Sequence, residues 1–148
     1  MLLSKSCEYA IRTALHLAAA ESASYTAVRE ISDALNIPYH FLAKTVQTLT
    51  QAGIFESMRG PHGGIALARP PGQIRLEEIV LAVDGPAVFR ECVLGLPGCG
   101  DRKPCPLHDQ WAPAREQVRR MFADASLADT AEQIQNGDFR LVFSILPA

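Results

Sequence analysis

Between residues 4 and 20 the apolar positions Ala10, Ile11, Ala14, Leu15, Leu17 and Ala18 recur at intervals near three and four, which predicts a helix with one buried side. Tyr25 and Thr26 precede a second helical segment, in which Val28, Ile31 and Leu35 repeat with the same period. Glu30 falls near its first turn, where the helix dipole favours an acid, and Asn36 is placed to end it. Pro38 suits the first turn of a third helix, because its missing N–H would be unpaired there anyway. Phe41, Leu42, Val46 and Leu49 give that helix a core face, and Gly53 closes it.

After Gly53 the period changes. Residues 54–59 and 65–69 read as extended, and the intervening Gly60, Pro61, His62, Gly63 and Gly64 read as a turn, so a β-hairpin is expected. Two helices joined by a short turn and followed by a hairpin make the layout of a winged helix-turn-helix. Residues 75–84 predict another short helix, ended by Asp84 and Gly85. In the segment 106–123, Leu107, Trp111, Ala114, Val118 and Met121 are spaced four, three, four, three, the pattern of a helix that packs along its length against another, with dimerisation as its natural use. Residues 126–134 can form one more helix.

The expected fold is therefore mainly α with a small β-hairpin wing: a winged helix-turn-helix plus a long C-terminal dimerisation helix. Residues 1–85 form the DNA-binding domain, 86–105 a cysteine-rich loop, 106–135 the dimerisation helix and C-terminal helix, and 136–148 a tail.

At 148 residues the chain suits one core with an appendage, and 48% hydrophobic against 20% charged residues is the balance of a folded globular protein. A net charge of −2 gives no general basic signal, so a DNA-binding case has to rest on local geometry. The longest apolar run near the N-terminus, residues 14–20, is broken by His16 and is far shorter than the roughly 20 residues of a membrane span. Lys5, Glu8 and Arg12 interrupt any leader-like pattern. The expectation is a cytoplasmic protein without membrane partners.

In a helix-turn-helix the second helix enters the major groove, and side chains near its N-terminus reach base edges. Here these are Tyr39, His40, Ala43 and Lys44. Lys44 can meet a phosphate or guanine, and His40 a base edge. Arg59, at the start of the wing turn, suits a narrow A·T-rich minor groove, with His62 beside it.

The segment 91–106 is rich in Gly, Pro and Cys and reads as an ordered loop that needs something to hold it. Cys92, Cys99, Cys105 and His108 follow the pattern Cys-x6-Cys-x5-Cys-x2-His. Cytosolic thiols stay reduced, so clustered cysteines point to metal or redox chemistry rather than to staples. Thiolates and imidazole suit an iron-sulfur cluster or zinc, and structural zinc more often uses closely spaced cysteine pairs. Cys7, among apolar residues of the first helix, reads as a small core side chain. No nucleotide-binding glycine motif, Cys-x2-Cys pair or nucleophile arrangement is evident, so no enzyme is expected; a redox or electron-transfer protein would leave the N-terminal half without a role.

The opening SKSCEYAIRTALHLA, the helix-turn-helix followed by RGPHGGIALAR, then LEEIVLAVDG, the cysteine loop and CPLHDQW together resemble the Rrf-two type of bacterial winged-helix transcription regulators, in its IscR- and NsrR-like, iron-sulfur-sensing branch. The resemblance spans about residues 1–122. It implies a homodimer bound to double-stranded DNA, with the long helices crossed at the interface and each loop holding a 2Fe-2S or 4Fe-4S cluster near the other subunit's first helix. It carries over Cys92, Cys99 and Cys105 as ligands. The fourth is either the histidine shortly after the third cysteine, here His108, or an acid of the partner's first helix, a position that corresponds to Glu8. The chain departs from the usual pattern in having six rather than five residues between its first two cysteines. A regulator with a zinc site or a thiol switch in the loop is the alternative.

Overall fold

Ser4 begins the first helix by accepting a hydrogen bond from the Cys7 N–H at 3.1 Å, which satisfies one of the unpaired donors of a helix start. In the computed structural model, which describes residues 2–20, 24–100, 102–137 and 139–141, α1 spans Lys5–Ala19. It buries Cys7, Ala10, Ala14, Leu15 and Leu17. This helix is the centre of the molecule, packing against α2 (Val28–Leu35), α3 (Tyr39–Gln51), α4 (Leu76–Val83) and α7 (Leu127–Gln135).

The turn from α2 into α3 is set by Asn36, which takes the left-handed conformation (φ 51°, ψ 48°) in which a helix commonly ends. The buried Ser32 hydroxyl donates to the Ile37 carbonyl at 2.6 Å and ties the turn down. Pro38 sits one residue before α3, as its N-cap. Leu42, Thr45, Val46 and Leu49 form the buried stripe of α3. Phe41, expected in that stripe, is 48% exposed. It lies one helical step off the edge of the stripe, where its ring stands 4.3 Å from that of His40 and 6.3 Å from that of Tyr9.

The hairpin consists of β1 (Phe55–Met58) and β2 (Gly64–Leu67), antiparallel in the register Phe55↔Leu67 to Met58↔Gly64. A third extended piece joins it: Thr26 and Ile65 exchange both backbone hydrogen bonds at 2.9 Å, so the residue that leads into α2 is paired to the wing. This pairing demands glycine at position 64, where an added Cβ would stand 2.0 Å from the Thr26 carbonyl oxygen.

Beyond the wing, a 3-10 turn (Pro71–Gln73) leads to α4, whose first turn is closed by Glu78 accepting from the Arg75 N–H at 3.0 Å. A short helix not expected from the sequence, α5 (Ala87–Arg90), precedes the cysteine loop, and α6 (His108–Asp124) follows it. Pro113 lies within α6, in its second turn. The chain then returns to the first domain. Leu127 N–H donates to the Ile74 carbonyl at 2.9 Å and Leu76 N–H to the Ala125 carbonyl at 3.0 Å, and α7 packs against α1. Most of the tail expected at 136–148 lies outside the described residues. Among the described residues no helix is long and apolar enough to cross a membrane.

Candidate cysteine centre and DNA-reading face

Cys92 follows α5 directly, Cys99 and Cys105 lie in the irregular segment, and His108 is the first residue of α6. All four line one small cavity of about 30 Å³, together with Lys103 and the glycine-rich turn at Gly98. The Cys99 Sγ and His108 Nδ1 atoms are 3.4 Å apart, and the thiols of Cys92 and Cys105 are near enough to influence each other's ionisation. The Leu94 backbone N–H, helped by that neighbouring thiol and by the Arg115 charge, holds the Cys92 thiol pKa below its ordinary value. Contact with Cys92 pushes that of Cys105 up. The Cys105 carbonyl accepts from the His108 N–H at 3.0 Å, so the last cysteine and the histidine share one turn.

Three thiols and an imidazole around one void are the soft donor set that suits iron-sulfur clusters. Among the described residues no group of three His, Cys, Asp or Glu side chains is gathered closely enough for a single metal ion. Glu8 does not line the cavity; its carboxylate pairs with Lys5 at 2.8 Å. Cys7 also stands apart, fully buried, with burial first and the Asp84 carboxylate second pushing its thiol up to about 12.

The loop is held by α6. The Trp111 indole N–H donates to the Glu91 carbonyl at 2.9 Å, and Arg115 donates to the carbonyls of Arg90 and Glu91 at 3.0 and 3.2 Å. Two turns further along, Phe122 stacks at a tilt on Phe89 of α5, their centroids 6.0 Å apart. His108, Trp111, Arg115 and Phe122 thus form a face of α6 turned toward α5. The sequence reading missed Arg115; its spacing of seven from His108 was the available signal. The expected interface stripe accordingly divides. Trp111 and Val118 are half-buried within the chain, whereas Leu107 (42%), Met121 (57%) and Ala114 are exposed.

Tyr39, His40 and Lys44 are all exposed at the start of α3. Arg59 and His62 are exposed in the wing turn, which closes through the Gly63 N–H donating to the Gly60 carbonyl at 3.0 Å. An added Cβ at Gly63 would meet the Met58 carbonyl oxygen at 2.1 Å. A further cation belongs to this face. Arg29 of α2 lies over the Tyr39 ring at 4.2 Å, a cation-π contact between the two helices of the motif that no local pattern in the chain locates.

A helix-turn-helix with a paired wing defines a winged-helix DNA-binding protein. The family model for Rrf2, described as an iron-dependent transcriptional regulator, matches residues 3–133, and the chain belongs to that family of transcriptional regulators. The HTH-type transcriptional regulator NsrR of Geobacillus kaustophilus is 32% identical over 133 residues, covering 89% of this chain and 90% of that one. Two solved structures share the fold. CymR, the global cysteine regulator of B. subtilis, aligns with a TM-score of 0.75 at 24% identity, covering 88% of this chain and 95% of its own. IscR of T. potens aligns with a TM-score of 0.73 at 18% identity, covering 93% and 91%.

Proposed function

We propose that this chain is a cytoplasmic, homodimeric DNA-binding regulator that senses redox state, nitric oxide or iron through an iron-sulfur cluster held by Cys92, Cys99, Cys105 and His108. The observation that carries this is the convergence of those four side chains on one cavity. The family description as iron-dependent supports it. When bound, the cluster supplies a centre that can change oxidation state, react with nitric oxide or be lost. The chain's own residues do the rest. The cysteine thiolates and the imidazole bind it, Trp111 and Arg115 fix the backbone that carries Cys92, and α6 joins that anchorage to the exposed Leu107, Ala114 and Met121, which meet a second copy.

Tyr39, His40 and Lys44 enter the major groove, and Arg59 and His62 reach the minor groove. Regulation requires that the cluster-loaded and cluster-free forms present the two reading heads differently, because a ligand shifts an equilibrium only by its differential contacts with the two states.

A thiol switch is the second reading, favoured by the contact between the Cys92 and Cys105 thiols. Oxidation would join their sulfurs as a disulfide, two protons and two electrons passing to a peroxide that is reduced to water.

Anaerobic purification with visible absorbance and iron and sulfide analysis, repeated on Cys92→Ala, tests the proposal. Brown protein with matched iron and sulfide, lost in the variant, is the expected result. Protein that stays colourless and iron-free after anaerobic reconstitution would overturn it, and a Cys92–Cys105 disulfide-linked peptide after peroxide treatment would then establish the switch.

A further inference from the structure

The carbonyl of Glu91, the residue immediately before Cys92, accepts from two donors of one helix: the Trp111 indole N–H at 2.9 Å and the Arg115 guanidinium at 3.2 Å. Arg115 reaches the Arg90 carbonyl as well, at 3.0 Å, so it closes the C-terminal end of α5 with a cation, where the last carbonyls of a helix otherwise lack partners. Phe89 against Phe122 adds an apolar joint between the same two helices. Cys92 is therefore fixed to α6 by backbone contacts on its N-terminal side. His108 sits on α6 itself, three residues before Trp111 and on the same face. Cys105 meets the start of the same helix through its carbonyl, which accepts from the His108 N–H at 3.0 Å, and the Cys99 sulfur stands 3.4 Å from His108 Nδ1.

We infer that Trp111 and Arg115 are positioning residues that lock Cys92 in register with His108, by holding the end of α5 and the residue before Cys92 to the helix that carries the histidine. This rests on the reading of the loop as a cluster site.

Trp111→Phe keeps the ring and removes only the N–H; Arg115→Met keeps the stem and removes the donors; Arg115→Lys restores one donor and the charge. The first measurement needs no cluster: the iodoacetamide alkylation rate of each cysteine in the cluster-free protein, read by peptide mass spectrometry. Each lost hydrogen bond raises local opening by a factor of about five, so Cys92 should alkylate at least about five-fold faster in the double variant, with Cys99 unchanged and the lysine variant returning part of the way. Cys7, fully buried, reports the core. If the double variant exposes Cys7, Trp111→Phe alone decides.

The second measurement is the decay of cluster absorbance in air after anaerobic reconstitution, which should quicken by a similar factor. An unchanged Cys92 rate, or a faster Cys92 rate with an unchanged cluster lifetime, overturns the inference. Wild-type protein that takes up no cluster would instead overturn the reading of the site, while the alkylation rates still decide whether the clamp exists.

Discussion

The Cys99 sulfur and the His108 Nδ1 stand 3.4 Å apart, although the two residues lie nine positions apart in the chain. Because His108 opens α6, the imidazole has a fixed base and the cysteine is brought to it by the loop.

His108→Ala is expected to shorten cluster lifetime by about ten-fold or more, the scale on which metal sites respond even to changes in the groups that support their ligands. Glu8→Ala, which removes only the partner of Lys5, should leave it within a factor of about two by the small worth of exposed ion pairs. Anaerobic chelator challenge followed at the cluster absorbance band measures both; the reverse ranking would assign the fourth ligand to Glu8.

The DNA face separates into phosphate and groove contacts. Lys44→Ala should weaken binding to all duplexes alike and lower the slope of log K against log salt by about one. Arg59→Ala should instead reduce the preference for A·T-rich flanks, because a narrow minor groove concentrates negative potential where that side chain would lie. Arg29→Ala, by freeing the Tyr39 ring from its cation-π contact, should cost about 0.5–1 kcal/mol of binding. Fluorescence anisotropy over a salt series distinguishes the three.

Most of the fold was legible because local rules and tertiary packing agree. Asn36 ends α2 in the left-handed conformation that its side chain tolerates, Gly53 follows α3 with φ +73°, and the wing turn falls among its glycines. What was not legible depended on contacts far apart in sequence. The pairing of Thr26 with Ile65 spans a whole helix-turn-helix and leaves no period in the chain. Phe41 and the α6 stripe show the limit of periodicity: it finds apolar positions but not which of them another element covers. The ligand set was visible as four residues; the clamp on Glu91 was not, because its acceptor is a backbone carbonyl.

Gly64→Ala is expected to be among the most damaging small substitutions in the wing. Its Cβ would lie 2.0 Å from the Thr26 carbonyl oxygen, and the backbone φ of +151° is one that L-residues rarely adopt. A cost of about 2 kcal/mol, or about 4–8 °C in Tm for a chain of this size, should accompany loss of DNA affinity as the wing parts from α2. Differential scanning calorimetry and binding on the same sample test both.

Cys7 predicts an alkaline weakness. Its thiol is pushed from an ordinary 9.0 up to about 12 by burial and Asp84, so the folded chain holds a proton there that the unfolded chain gives up. The associated stability is fully present below about 8.5, the usual pKa of an unfolded-chain thiol, and is lost as pH rises toward the folded value. Denaturant unfolding of cluster-free protein should show stability falling from pH 9 upward, with a shallower fall in Cys7→Ala. Equal slopes would mean that another group dominates.

Sensing itself is tested most directly by one comparison. Duplexes selected from a random-sequence library by the cluster-loaded protein are titrated, at one fixed salt concentration, with cluster-loaded and cluster-free forms of the same preparation. Coupling between two sites on one protein commonly amounts to about 5–150-fold, and a difference of at least about ten-fold is predicted here, abolished in Cys92→Ala. Equal affinities for the two forms would contradict control of DNA binding by the cluster and leave Cys92, Cys99, Cys105 and His108 as a structural site.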